Sequence, residues 1–141
     1  MSLDFAVWVP GVPKGQPRAR AFSRNGRARM YDPGTAEAWK AAIAAEVQPF
    51  LPSEPFDGPV AVSLKLVMPR PKTHYRKAGL KPEAPAWHTS KPDIDNIVKA
   101  ACDALTTIGL WCDDSQVCRL TASRVYGDKP GTLLEVKEVA G

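Results

Sequence analysis

The sequence predicts a single α+β domain, a small mixed or antiparallel sheet with two main helices, spanning residues 1–141. Three observations carry this. Residues 60–68 place apolar side chains at every second position, the mark of a strand with one buried face. Residues 94–108 repeat them at helical spacing instead. At 141 residues, 44% hydrophobic and 24% charged, the chain has the size and composition of one ordinary globular domain with a sizeable core.

Along the chain, residues 4–9 (DFAVWV) read as a short strand ended by Pro10. Residues 11–30 are rich in Gly, Pro and Arg, show neither helical nor strand period, and read as a basic loop. Asp32-Pro33 has the form of an N-cap with proline at the first helical position. Trp39, Ile43 and Val47 then recur every four residues up to Pro49, which predicts a helix over about 33–48. Val60, Val62, Leu64, Leu66 and Met68 form the buried side of a strand that Pro69 and Pro71 end. Residues 69–92 hold five prolines and read as a second long, basic loop. After the second helix, Cys118, Leu120 and Ala122 alternate with Arg119, Thr121 and Ser123. A GDKPG turn and TLLEVKEV follow, predicting a C-terminal hairpin.

Charge is unevenly spread, although the net value is only +4. Residues 1–30 hold Lys14, Arg18, Arg20, Arg24, Arg27 and Arg29 against Asp4, a net +5. Residues 69–92 hold Arg70, Lys72, Arg76, Lys77, Lys81 and Lys91 against Glu83, again +5. Residues 93–115 reverse the sign, with Asp93, Asp95, Asp103, Asp113 and Asp114 facing Lys99 alone. Two basic flanks around an acidic centre suit a polyanion held over a bound cation, with Lys14, Arg18, Arg20, Arg24, Arg27, Arg29, Lys72, Arg76 and Lys77 as its candidate contacts.

No apolar run approaches the roughly 18 residues that span a bilayer, and Asp4 stands where a secretion signal needs a cation. Cys102, Cys112 and Cys118 are odd in number and lack C-x-x-C spacing, which argues against a disulfide framework or structural zinc. The expected setting is a reducing cytoplasm, without a membrane partner. His74 and His88 read as surface loop residues.

Winding residues 94–108 at 100° per residue gathers Ile94, Ile97, Val98, Ala101, Ala104, Leu105 and Ile108 into a stripe about 120° wide. Asp95, Asn96, Lys99 and Asp103 fall on the opposite side, with Lys99 at i,i+4 spacing from both acids. Ordinary solvated ion pairs would satisfy this face. Pro92, however, biases Lys91 towards extended backbone, so the chain enters Asp93-Ile94-Asp95 from an extended segment. A D-x-D there can share a cation if the helix begins near Asp95. Asp113-Asp114 is a second acidic pair, or else simply a turn. Hard oxygen ligands of this kind favour Mg²⁺, with Mn²⁺ as the alternative.

KPDIDNIVKAACDAL (91–105) followed by DDSQV (113–117) resembles the signature of RusA-type Holliday junction resolvases. The resemblance implies a metal-dependent endodeoxyribonuclease acting as a homodimer on four-way DNA junctions. By position it assigns Asp93, Asp95 and Asp114 as metal ligands, with Asp113 adjacent, and Lys99 as the essential lysine; Asp103 also matches. VPGVPKGQPRAR looks like that family's basic N-terminal stretch, with Gln16 where arginine is common. Thr89-Ser90-Lys91-Pro92 lacks the arginine run of some members. Two other classes compete: a non-catalytic DNA-binding module, and a Mg²⁺-dependent phosphohydrolase acting on nucleotides.

Overall fold

The computed structural model describes residues 3–16, 20–24, 27–31 and 36–140, the two short internal runs by backbone pairing alone. In chain order the elements are β1 (Asp4–Pro10), β2 (Arg20–Arg24), β3 (Arg27–Tyr31), α1 (Glu37–Val47), β4 (Val60–Met68), β5 (Tyr75–Arg76), β6 (Gly79–Leu80), α2 (Ile94–Thr107), β7 (Val117–Tyr126) and β8 (Gly131–Glu138). The main sheet has the order β1-β8-β4-β7. β8 runs antiparallel to both β1 and β4, while β7 runs parallel to β4.

β4 lies in the interior of the sheet because it is the most apolar strand. Val60, Val62, Leu64, Leu66 and Met68 are all buried, as the period-two pattern predicts. They pack against Trp39, Ile43 and Val47 of α1, and against Ile97, Ala101 and Leu105 of α2, within one core. Both helical stripes therefore face the same side of the sheet. The described part of α1 starts at Glu37, with Ala36 at its N-cap; Asp32 and Pro33 lie outside the described residues.

Three expectations are corrected. The C-terminal hairpin does not form, because β4 lies between β7 and β8. Stepping over one strand needs about 10 Å, within reach of the four residues 127–130. β7 suits the edge it takes, since Cys118–Thr121 are exposed. The basic loop at 11–30 contains a hairpin, with Arg20↔Tyr31, Ala21↔Met30, Phe22↔Arg29, Ser23↔Ala28 and Arg24↔Arg27 as partners. Nor is 69–92 a bare loop. β5 and β6 pair within it, and its end lies along β7 through a Trp87–Val125 bridge, the Tyr126 N–H to Ala86 carbonyl bond (2.9 Å) and the His88 N–H to Arg124 carbonyl bond (3.3 Å).

Candidate active site

α2 begins where the D-x-D requires. Asp93 is its N-cap, still extended at φ −65° and ψ 144°, and its carbonyl accepts from the N–H groups of Asn96 (3.1 Å) and Ile97 (3.3 Å). Asp95 is exposed in the first turn. Lys91 Nζ donates to Asp93 Oδ1 at 2.9 Å, a pair exposed on both sides and so worth at most a few tenths of a kcal/mol. Arg124 anchors the approach from beneath. Its guanidinium Nη1 donates to the Pro92 carbonyl, while its own carbonyl receives the His88 N–H.

The basic N-terminal segment crosses this helix start. Gln16 N–H donates to the Asn96 carbonyl at 2.9 Å. A Cβ on Gly15 would lie 3.0 Å from Pro92 Cβ and 3.4 Å from Asn96 Cβ, so the close approach selects glycine. Exposed Lys14 is thereby carried past the D-x-D.

The far end of α2 turns the chain back. Gly109, at φ +83°, donates to the Thr106 carbonyl (3.0 Å) and Leu110 N–H to the Leu105 carbonyl (3.1 Å), which is a Schellman ending. Buried Leu110 and Trp111 then seat the turn Asp114–Gln116. Asp113 caps that turn, its Oδ1 accepting from Ser115 N–H at 3.1 Å. Gln116 Oε1 accepts from the Cys112 and Asp113 N–H groups, and its Nε2 donates to the Phe56 and Gly58 carbonyls. The sequence signal for this anchor was the D-x-x-Q spacing of a capping box.

The Ser115 N–H, followed by a side-chain bond with Asp114, holds the Asp113 carboxyl below its ordinary pKa. Asp114 is raised. The hydrogen bond to Asp113 is the largest cause, then partial desolvation, then the charges of Asp113 and Asp103, with Lys99 opposing. Asp114 thus senses Asp103 and Lys99 of α2 together. Burial, then the Asp114 charge, pushes the Cys102 thiol up to about 11, so it is inert.

The ion pairs expected of Lys99 do not form. Asp103 Oδ2 instead takes Lys40 Nζ of α1 at 2.8 Å, because that lysine side chain is only 15% exposed and its charge needs a partner. Nor do the carboxylates converge into a closed cage: among the described residues no three His, Cys, Asp or Glu side chains are grouped to hold a metal. Lys91 draws on Asp93 and the cap occupies Asp113. The donor chemistry still fits a hard divalent cation. Asp114 sits among negative charges that one lysine does not offset, and a cation would relieve that.

Lys72, Arg76 and Lys77 are exposed; Arg20, Arg24, Arg27 and Arg29 lie in β2 and β3, and Arg18 lies outside the described residues. His88 is buried, not on the surface as expected. Its ring packs 4.9 Å from the Tyr126 ring, and desolvation, then the Arg124 charge, lowers its pKa. Lys40, Gln116 and Arg124 are contributors that were not singled out. Arg124 left one trace, an arginine in phase with Leu120 and Ala122 on the apolar side of its strand.

The sequence profile described as endodeoxyribonuclease RusA matches residues 10–137. The chain belongs to the RusA endodeoxyribonuclease family. It is 34% identical over 141 residues to the uncharacterized protein YqaN of Bacillus subtilis (strain 168), covering 98% of this chain and 97% of that one. It is 26% identical over 139 residues to the crossover junction endodeoxyribonuclease RusA of Lactococcus phage r1t, covering 99% and 100%. The RusA match includes both acidic blocks and the basic β2–β3 hairpin. Among the described residues no helix is long and apolar enough to cross a membrane.

Proposed function

We propose that this chain resolves four-way DNA junctions by paired phosphodiester hydrolysis that depends on Mg²⁺, or Mn²⁺ in its place. The observation that carries this reading is the crossing of a basic segment over an acidic helix start. The Lys14–Gln16 segment crosses the start of α2 beside Asp93 and Asp95, so a backbone phosphate drawn by the basic flanks arrives at carboxylates. Asp93, Asp95 and Asp114 would hold the cation, with Asp113 shaping the turn that carries Asp114. A bound divalent ion supplies Lewis acidity and a more acidic water at neutral pH. Lys99 offers positive charge to the scissile phosphate. Asp103 holds Lys40 and so braces α2 on α1.

A chain of 141 residues with one such site makes one cut, whereas resolving a junction takes two matched cuts. A homodimer with two-fold symmetry supplies both. The test is a synthetic four-way junction beside matched duplex, with and without Mg²⁺. Symmetric paired nicks confined to the junction and to Mg²⁺ are expected, together with a sedimentation mass of about twice 15.3 kDa. Binding without cleavage would leave a DNA-binding module, and cleavage of free nucleotides alone would place the activity elsewhere.

Arg124 acts on this site through the backbone. Arg124→Ala is expected to lower the cleavage rate about tenfold, as small misplacements of reacting groups do. Metal-free junction affinity should stay within about twofold, because no base-pair or phosphate contact is removed. Arg124→Lys, which keeps one donor for the Pro92 carbonyl, should recover part of the rate. Equal losses of rate and affinity would contradict a positioning role.

A further inference from the structure

Three of the six exposed large hydrophobic side chains among the described residues, Tyr75 (41% exposed), Leu80 (46%) and Trp87 (62%), belong to one stretch of thirteen residues. Such clustering marks a contact surface more than chance does. The stretch is also held firmly. The rings of His74 and His88 both pack on Tyr126, at 4.8 and 4.9 Å between centroids. The Arg70 guanidinium lies 5.3 Å from the same ring and donates to the Pro85 carbonyl at 2.7 Å. Tyr75 follows His74 and Trp87 precedes His88, so the two exposed aromatics emerge from one shared anchor.

We propose that Trp87 and Tyr75 form a stacking platform for unstacked bases at the branch point of the DNA. The choice of occupant follows from charge. Residues 69–92 carry six cations against one acid, and Lys72, Arg76 and Lys77 beside the platform are exposed. A second copy of the chain would bring like charge onto like. A nucleic acid brings phosphates for the cations and flat apolar faces for the rings. Base faces are sealed in continuous duplex and open at a crossover, so the platform selects branched over linear DNA, with the ordered backbone at Ala86–His88 fixing its place beside β7.

The inference rests on the junction-binding reading, so its test uses binding without divalent metal, where loss of cleavage has no influence. Junctions and duplexes carrying 2-aminopurine at or away from the crossover are titrated with the protein. Wild type should quench the crossover probe. Trp87→Ala should abolish that quench and lower junction affinity on the order of tenfold, leaving duplex affinity within about twofold. Trp87→Phe and Tyr75→Ala should fall between, with circular dichroism confirming the fold of each. Equal loss on junction and duplex, or a quench unchanged in Trp87→Ala, overturns the proposal. So does tryptophan emission that shifts with protein concentration in the absence of DNA in wild type but not in Trp87→Phe, which would mark a subunit contact at Trp87.

Discussion

Asp95→Asn is expected to reduce Mg²⁺-dependent cleavage by at least about a thousandfold, equivalent to about 4 kcal/mol of transition-state stabilisation. Metal-free junction affinity should change by less than about twofold, since repulsion of phosphates by one exposed carboxylate is largely screened. The fold should tolerate the change. Asp95 lies off the apolar stripe in the first turn of α2, and the amide is nearly isosteric. Losing a negative charge near the helix N-terminus costs about 0.3–1 kcal/mol. Asp103→Asn is the contrasting variant. It strips the partner from Lys40, whose side chain is mostly buried, and should lower stability by about 1–2 kcal/mol while sparing most of the cleavage rate. Cleavage assays, gel-shift titrations and thermal melts on the two variants therefore give crossed outcomes. An Asp95→Asn protein that still cuts, or one that loses binding in step with cutting, would remove Asp95 from the metal site.

The parts of this fold legible in the sequence are those whose signal is local. β1, β4 and α2 each bury one face against the same core, and burial imposes a period that can be counted. The β2–β3 hairpin escaped because its alternation sets four arginines, Phe22 and Tyr31 against Ala21, Ser23, Ala28 and Met30, which carries no apolar period. Its remaining signal was Asn25-Gly26 between Arg24 and Arg27, the two-residue connection favoured in hairpins. The partner of β7 could not be read locally, since a short turn after a strand serves either an adjacent pairing or a step over a third strand. At the site, the extended entry into Asp93 and the placement of Asp95 off the apolar stripe followed from Pro92 and the helical period, while the cap at Asp93 did not. Lys40, sixty-three residues from Asp103, did not, because α1–α2 packing alone brings them together. The same limit kept Arg124 hidden. Its partner is a backbone carbonyl, and carbonyls leave no mark on a sequence.

Junction affinity should fall steeply with salt, by about 10³–10⁵ between 50 and 200 mM if six to ten phosphates are contacted, with about 0.9 in log–log slope per contact on duplex arms. The β2–β3 register sharpens this expectation into a directional one. Residues directly opposite across an antiparallel pair share a face, as do alternate residues along each strand. Arg20, Phe22 and Arg24 therefore share one face with Tyr31, Arg29 and Arg27, and Ala21, Ser23, Ala28 and Met30 occupy the other. An unstructured basic loop would respond to its net charge alone, whereas a one-faced ribbon responds to where the charge is placed. Arg29→Ala should weaken junction binding roughly three- to tenfold and flatten the salt slope by about 0.9. Ser23→Glu shifts the net charge by the same unit on the opposite face and should cost less than about twofold. The double variant Arg29→Ala/Ser23→Arg restores the charge in the wrong place and should bind no better than Arg29→Ala. If the added arginine at position 23 recovers both affinity and slope, the hairpin acts as a diffuse cationic tether and its register has no part in DNA binding.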